Sequence, residues 1–415
     1  MPKTQHPLWI DARFATCFAL RLRLAMTVVR DSEIVGDKIM SIKIAIPKER
    51  KTGELRVAMT PSLVDKLMKL GTTVGVEKGA ALGIDLEDDA YKNTEIFDQT
   101  ALYQGSQIII KVQPPMEHEL VLMSEGAILI SFLYPYLNSK VVKQLTQKHI
   151  TSFAMELIPR ISRAQDMDAL SSQATIAGYK ATLIAANHSK FFFPMLTTAA
   201  GSIRPAKVFI IGAGVAGLQA IATARRLGAQ VSAYDVRPDT REQVESLGAK
   251  FFVTGIQAVG AGGYARELSD DEKRQQEEML KRHLATCDVV ITTAGIPGKA
   301  APKVLSVDMV ASMRSGSVIV DMLADMGGNC ELTKAGAVVQ HNGVSIIGPL
   351  DIPSGLALHA SEMYARNIIN LLKLIIRDGV VVLDWTDEII AGAVVTHGGE
   401  IRNPGVRKLL ENGCG

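Results

Sequence analysis

From Met40 onward the chain alternates short apolar runs with longer amphipathic stretches. "IKIAIP" (42–47), "TTVGVEKG" (72–79), "SQIIIKVQ" (106–113), "AILISFLY" (127–134) and "TSFAMELI" (151–158) each read as a strand. "TPSLVDKLMKLG" (60–71) reads as a helix closed by Gly71. Strands that alternate with helices imply βαβ units and a mostly parallel sheet.

A second block opens with "KVFIIGAGVAGLQAIATARRLGAQVSAYDVRPD" (207–239). The uninterrupted apolar run Val208–Ile211 suits a strand buried on both faces. "AGLQAIATARRLG" predicts a helix ended by Gly228, and "QVSAYDV" the next strand. "DVVITTA", "SVIVDML" and "GVSIIG" supply later strands. The long apolar helix candidate "GLALHASEMYARNIINLLKLIIRDG" (355–379) then carries the chain back toward the first block.

A chain of 415 residues exceeds the size at which one core keeps growing. With the strand–helix alternation, the expected fold is therefore α/β, with two Rossmann-like doubly wound domains. The expected division is 40–170 plus 356–415 for the first domain and 171–355 for the second.

Between the blocks lies "PRISRAQDMDALSSQ" (159–173), just before the small-residue helix candidate "ATIAGYKATLIAAN" (174–187). Arg160, Arg163, Gln165, Asp166 and Asp168 crowd together there, where a connection needs only a turn. Arg163 and Asp166 read as a solvated local ion pair.

Composition narrows the class. Hydrophobic residues make up 47% and charged residues 21%, the balance of a globular protein. A net charge of +2 is too even to suggest nucleic acid or an anionic membrane as partner. Cys17, Cys287, Cys330 and Cys414 form no CxxC pair and read as isolated reduced thiols. The eight histidines show no HxxxH spacing, so no metal site is expected. No stretch of 18 uncharged apolar residues occurs, so no membrane span is expected. Residues 1–39 carry Arg21, Arg23 and Arg30 in a run that superficially resembles a transit peptide. The clean first strand after Met40 favours an upstream-start artefact or a loose extension instead.

Candidate chemistry concentrates in the second block. Gly212, Gly214 and Gly217 form GxGxxG between a strand and a helix. The first glycine permits a tight turn, the second lets backbone approach a pyrophosphate, and the third lets helix pack on strand. The helix N-terminus, near Val215, presents free N–H groups and the positive dipole end to phosphate. Asp235 ends the following strand 18 residues beyond Gly217, close to the spacing of a ribose-binding acid. A carboxylate there accepts both ribose hydroxyls and repels a 2′-phosphate, favouring NAD over NADP. Val236 and Arg237 follow it. Arg237 either accommodates such a phosphate, pairs with Asp239, or stacks beside the adenine. "TTAGIPGKAAP" (292–302), with Thr293, Ala294 and Gly295, follows a strand whose carboxyl end faces the switch-point crevice.

Four stretches together resemble one family: "IPKERKTGELRVAMTP" (46–61), "IIGAGVAGLQAIATARRLGA" (210–229), "TTAGIPGKAAP" and "VIVDMLADMGGNC" (318–330). They are shared by alanine dehydrogenases and proton-translocating nicotinamide nucleotide transhydrogenases. The resemblance covers nearly everything after residue 39 and implies NAD(H) bound by the second domain at an interdomain cleft.

The two branches differ in chemistry. Alanine dehydrogenases use an arginine, a lysine and a general acid–base histidine. Arg56 and Lys111 match the first two, but "SFLYPYL" places Tyr134 where that branch has histidine in "YLHL". A phenol near pH 10 is a poor neutral-pH base. At the polar joint, Arg160, Gln165, Asp168 and Ser171 match the transhydrogenase pattern rather than the "PMSEVAGR"-like dehydrogenase segment. The resemblance gives Arg160, Gln165 and Asp168 the catalytic positioning roles, with Gln165 bridging two nucleotides. Gly263 and Tyr264 in "AGGYAREL" resemble a mobile loop that closes over the nucleotide, and Gln276 matches a nucleotide-contacting glutamine. Gly295 departs from the pattern, where "TTALIPGK" has leucine.

The resemblance therefore implies the NAD(H)-binding alpha-1 subunit of a three-polypeptide enzyme, with NADP(H) on a partner subunit. It also implies a homodimer and a cytoplasmic location, held at the inner membrane through membrane-spanning partners. An autonomous alanine-type amino-acid dehydrogenase is the alternative, and a catalytically silent NAD-sensing domain is a third.

Overall fold

The computed structural model describes residues 41–253, 269–295 and 300–411, and of Lys273, Gln276 and Leu409 the backbone only. Six strands of the first half lie parallel: β1 (Ile42–Ile46), β2 (Thr72–Glu77), β3 (Glu95–Phe97), β4 (Ile108–Ile110), β5 (Ile128–Ser131) and β6 (Thr151–Ala154). Their spatial order is β3-β2-β1-β4-β5-β6, so the winding reverses between β1 and β4. β4, β5 and β6 are buried throughout, as strands covered on both faces must be.

Helix α1 (Ala169–His188) leads out of this sheet, and a hairpin of β7 (Leu196–Thr198) and β8 (Gly201–Ile203) follows. The second sheet contains β9 (Lys207–Ile211), β10 (Gln230–Tyr234), β11 (Lys250–Phe251), β12 (Val289–Thr292), β13 (Val318–Asp321), β14 (Val338–His341) and β15 (Val344–Ile347). The order is β11-β10-β9-β12-β13-β15-β14, with only β14 antiparallel. Helix α2 (Val215–Arg226) joins β9 to β10, and the winding reverses between β9 and β12. Both sheets are thus doubly wound in the same sense.

Helix α3 (Ala357–Ile375) is one long element. It ends at a tight hairpin, β16 (Ile376–Arg377) with β17 (Val380–Val381), four residues short of Gly379 in the sequence reading. The chain then adds β18 (Val394–His397), antiparallel to β6, and β19 (Glu400–Ile401) at the edge of the first sheet. Buried Tyr364 and Leu372 on α3 pack in the core of that sheet, and the Tyr364 hydroxyl donates to the Lys111 carbonyl at 2.7 Å.

Packing of α1 against α2 ties the halves together. Small residues (Ala177, Gly178, Ala181, Ala185) form the buried face of α1. At Gly178 a Cβ would sit 2.1 Å from the Ala216 carbonyl oxygen, so only glycine admits this approach. Thr182 Oγ1 donates to the carbonyls of Gly178, 3.1 Å away, and Ala220, 3.3 Å away. The polar joint that precedes α1 is therefore held in fixed relation to the loop that precedes α2.

Among the described residues, no helix is long and apolar enough to cross a membrane. Cys287 and Cys330 are buried free thiols, and burial pushes the Cys287 thiol up to about 12. Cys17 and Cys414 lie outside the described residues, as does the 1–39 segment.

Candidate functional site

A cleft of about 1880 Å³ opens at the carboxyl ends of the strands, lined from both halves of the fold. On one wall is the glycine loop. Gly212 has φ +96°, a conformation glycine adopts freely, and a Cβ at Gly217 would lie 1.8 Å from the Gly212 carbonyl oxygen. Thr293 Oγ1 donates to that carbonyl at 3.0 Å, locking the loop to the end of β12. Gly214 is the N-cap of α2, and no side chain caps the helix there. A Cβ at Gly214 would have Arg237 Nη2, at 4.0 Å, as its nearest neighbour, which leaves room for a ligand's phosphates.

Asp235, 9% exposed, closes this wall. Its Oδ2 accepts from the Ala213 backbone N–H at 2.8 Å and from Arg237 Nη2 at 2.8 Å. Its Oδ1 accepts the Arg237 backbone N–H and Nε, each at 2.9 Å. Arg237 thus pairs with Asp235 itself, a contact that was not among the options the sequence left open.

The polar joint forms the opposing lip. Arg160 and Ser171 line the cleft. Asp168 is the N-cap of α1: its Oδ1 accepts the Ser171 N–H at 2.8 Å and its Oδ2 the Ser171 hydroxyl at 2.6 Å. The capping pair explains why an acid and a serine three residues apart occur there. Gln165 is exposed on the 3₁₀ turn Ser162–Met167 and does not line the cleft. Asn367 Nδ2 donates to the Asp166 carbonyl at 2.8 Å, and Ser172 donates to Asn367 Oδ1 at 2.8 Å, so α3 pins the joint.

Arg163 does not form the expected local pair with Asp166. Its guanidinium donates to both oxygens of Asp387, at 2.8 Å each, at the N-terminus of a helix 224 residues away.

Arg56 and Lys111 are both satisfied within the protein. Arg56 donates to Glu54 Oε1 through Nε at 2.7 Å, to Glu54 Oε2 through Nη2 at 2.5 Å, and to Gln173 at 2.8 Å. Burial would raise the Glu54 carboxyl, but the Arg56 guanidinium outweighs it and holds Glu54 down to about 2. Lys111, 1% exposed, lies 2.9 Å from Glu119 and 3.3 Å from Glu49. Two carboxylates surround the lysine, leaving its ammonium no substrate anion to balance.

Tyr134 lines the cleft at φ +44° and stacks on Phe132. Burial first, and then the nearby Glu156, push its phenol further above its ordinary value. Glu156 also lines the cleft and accepts the backbone N–H groups of Leu133 and Tyr134. Burial pushes its carboxyl to about 7, against these hydrogen bonds. Nothing in its local sequence marks Glu156, which acquires its setting only when β6 lies beside β5.

Asn329 is a second residue that sequence reasoning missed. It is fully buried and clamps Ala294 from both sides: the Ala294 N–H donates to Oδ1 at 3.1 Å, and Nδ2 donates to the Ala294 carbonyl at 2.7 Å. Nδ2 also holds the Pro302 carbonyl at 2.9 Å. Asp321, at the end of β13, accepts from the Cys330 N–H and the Thr333 hydroxyl, bracing the same turn. A lone asparagine after two glycines within "MGGNC" is the one local cue.

Of the remaining residues singled out in the sequence, Gly212, Gly214, Val215, Val236, Arg237, Thr293, Ala294 and Gly295 line the cleft, and Gly217 supports it from beneath. Gly263 and Tyr264 lie outside the described residues, and so does the Gln276 side chain.

Two doubly wound sheets flanking a cleft, with a glycine loop and a strand-end acid on one wall, are the architecture of the two-domain dinucleotide-binding type. Models of the alanine dehydrogenase/PNT N-terminal and C-terminal domains match residues 45–177 and 181–404, so the chain belongs to that family. It is 46% identical over 377 residues to the first portion of NAD(P) transhydrogenase subunit alpha from Rhodospirillum rubrum, covering 88% of this chain and 98% of that one. A transhydrogenase structure from Sinorhizobium meliloti superposes with a TM-score of 0.78 at 40% identity, over 88% of this chain and 99% of that one. Alanine dehydrogenase 2 of Staphylococcus aureus is more distant, 31% identical over 297 residues, covering 70% of this chain and 74% of that one. Within the family, the chain is thus more similar to these transhydrogenases than to that alanine dehydrogenase.

Proposed function

We infer that this chain is the NAD(H)-binding subunit of a proton-translocating nicotinamide nucleotide transhydrogenase. It exchanges hydride directly with NADP(H) held on a partner subunit, and the exchange is coupled to proton movement through membrane-spanning partners. The observation that carries this reading is the lip of Arg160 and Ser171, with Ser171 held by the Asp168 cap, facing the glycine loop across one cleft, in a chain whose Arg56 and Lys111 are internally paired.

The residues fit NAD(H). The Gly212–Gly217 turn and the open α2 N-terminus suit the pyrophosphate, and Asp235 suits the adenosine ribose. Both oxygens of Asp235 already accept hydrogen bonds within the protein, two each. Ribose hydroxyls therefore take over the positions of the Arg237 side chain. The bound nicotinamide supplies a hydride donor or acceptor. Arg160, Asp168 and Ser171 orient its amide group, Gln165 faces the second nucleotide at the docking surface, and Val215, Val236, Thr293 and Ala294 shape the path. Direct transfer requires ring-to-ring proximity and no general base. Tyr134, a neutral phenol, and the paired Lys111 suit that chemistry better than amine oxidation.

In this reading, residues 40–170 with 356–415 form one half of the cleft and 171–355 the NAD(H)-binding half. Gly263, Tyr264 and Gln276 complete the nucleotide contacts, the subunit pairs as a homodimer, and it meets the inner membrane from the cytoplasmic side only through its partners. The test is reduction of an NAD analogue by NADPH after the NADP(H)-binding partner is added. Robust alanine-dependent NADH formation by the pure chain would instead restore the amino-acid dehydrogenase reading.

A further inference from the structure

Gly295 and Leu323 face one another at the switch point of the second sheet. Both line the cleft, one following β12 and the other following β13. A Cβ built on Gly295 would lie 2.4 Å from Leu323 Cδ1, and the next two nearest atoms, at 3.7 and 3.8 Å, also belong to Leu323. Gly295 does not have a positive φ. Its backbone conformation thus does not call for glycine, and the obstacle among the described residues is the end of one leucine side chain.

That leucine is held in place. Asp321 Oδ1 accepts the Leu323 N–H at 3.2 Å, and Asp321 is itself fully buried and bonded to Cys330 and Thr333. On the other side Asn329 fixes Ala294, the residue before Gly295. Two braced turns therefore bring an absent side chain and a present one to the same small volume, against the path of the nucleotide.

We propose that positions 295 and 323 act as one complementary apolar pair, with Leu323 supplying from the β13 turn the contact to bound NAD(H) that Gly295 does not make. This rests on the nucleotide reading of the cleft. Leu323 is then a cofactor-positioning residue: it sets how tightly the apolar wall closes on the dinucleotide, and Gly295 is glycine because Leu323 occupies its space. A wall built from the other side would need both positions to change together.

The experiment is an NADH titration of four full-length proteins: the wild type, Leu323→Ala, Gly295→Leu and the double variant, each checked for its unfolding temperature. Leu323→Ala should bind NADH about five- to tenfold more weakly, as loss of one apolar contact implies. Gly295→Leu should also weaken binding, because two side chains compete for one volume. The double variant should return to within about twofold of the wild type, a recovery that additive effects could not produce. Wild-type affinity in Leu323→Ala, or a double variant as weak as its two singles combined, overturns the pairing while leaving the nucleotide reading intact. Failure of the wild type itself to bind NADH overturns both.

Discussion

Gly178 of the helix after the polar joint lies against Ala216 of the helix after the glycine loop, with room for a hydrogen and none for a methyl group. This contact couples the lip that carries Arg160 and Ser171 to the wall that carries Gly212 and Asp235. In isolation, alanine would favour the helix by about 1 kcal/mol. Here Gly178→Ala should instead destabilise the fold by about 1–3 kcal/mol, since the Ala216 backbone cannot yield as a side chain end could. Denaturant unfolding measures the loss, and a stabilised variant would refute the close contact.

Asp235 organises three things at once: the loop through Ala213, the guanidinium of Arg237, and in the functional reading the ribose. Asp235→Ala should weaken NADH binding at least about tenfold, the scale of a charge-assisted hydrogen bond. Isothermal titration would show it, and an unchanged affinity would remove the ribose role.

Glu156 makes stability fall as pH rises. Its native carboxyl titrates near 7 and its unfolded one near 4.5, so the native state binds the extra proton between those values. Stability therefore falls as pH rises from about 4.5 to about 7 and stays at the lower level above that, while below the unfolded value the penalty disappears. Glu156→Gln keeps an acceptor for the Leu133 and Tyr134 N–H groups without the charge. It should raise stability at pH 8.5, by up to about 3 kcal/mol, and leave it nearly unchanged at pH 4.5. Equal gains at both pH values would contradict the burial of that charge.

Arg163 offers a contrast. Its two bonds to Asp387 are well formed, but its side chain is 53% exposed. Arg163→Ala should lower the unfolding midpoint only slightly, and less in high salt, because water and ions screen such a pair. A large, salt-independent loss would show that the pair anchors the joint.

What the sequence revealed and what it hid divide along physical lines. Val208–Ile211, the glycine spacing and Asp235 were legible because the buried strand, the tight turn and the helix start are local events with a fixed spacing. The outward portion of the joint was legible as polar crowding, though not its division of labour, in which Asp168 caps α1 while Asn367 grips Asp166. The Arg163–Asp387 pair joins residues 224 apart and leaves no trace in either neighbourhood. Asn329 and Leu323 act through a turn that faces another strand's end, so their roles appear only when β12 and β13 lie side by side.

In the proposed function hydride crosses a protein boundary between this chain and its NADP(H)-binding partner. The chain is mixed with its NADP(H)-binding partner, NADPH and an NAD analogue of distinct absorbance, and reduction of the analogue is followed for the wild type and Gln165→Asn. Turnover should depend on the partner and be strongly slowed in Gln165→Asn, while NADH affinity of the isolated chain stays almost unchanged. Absence of exchange with the wild type, or collapse of NADH binding in the variant, would contradict the claim.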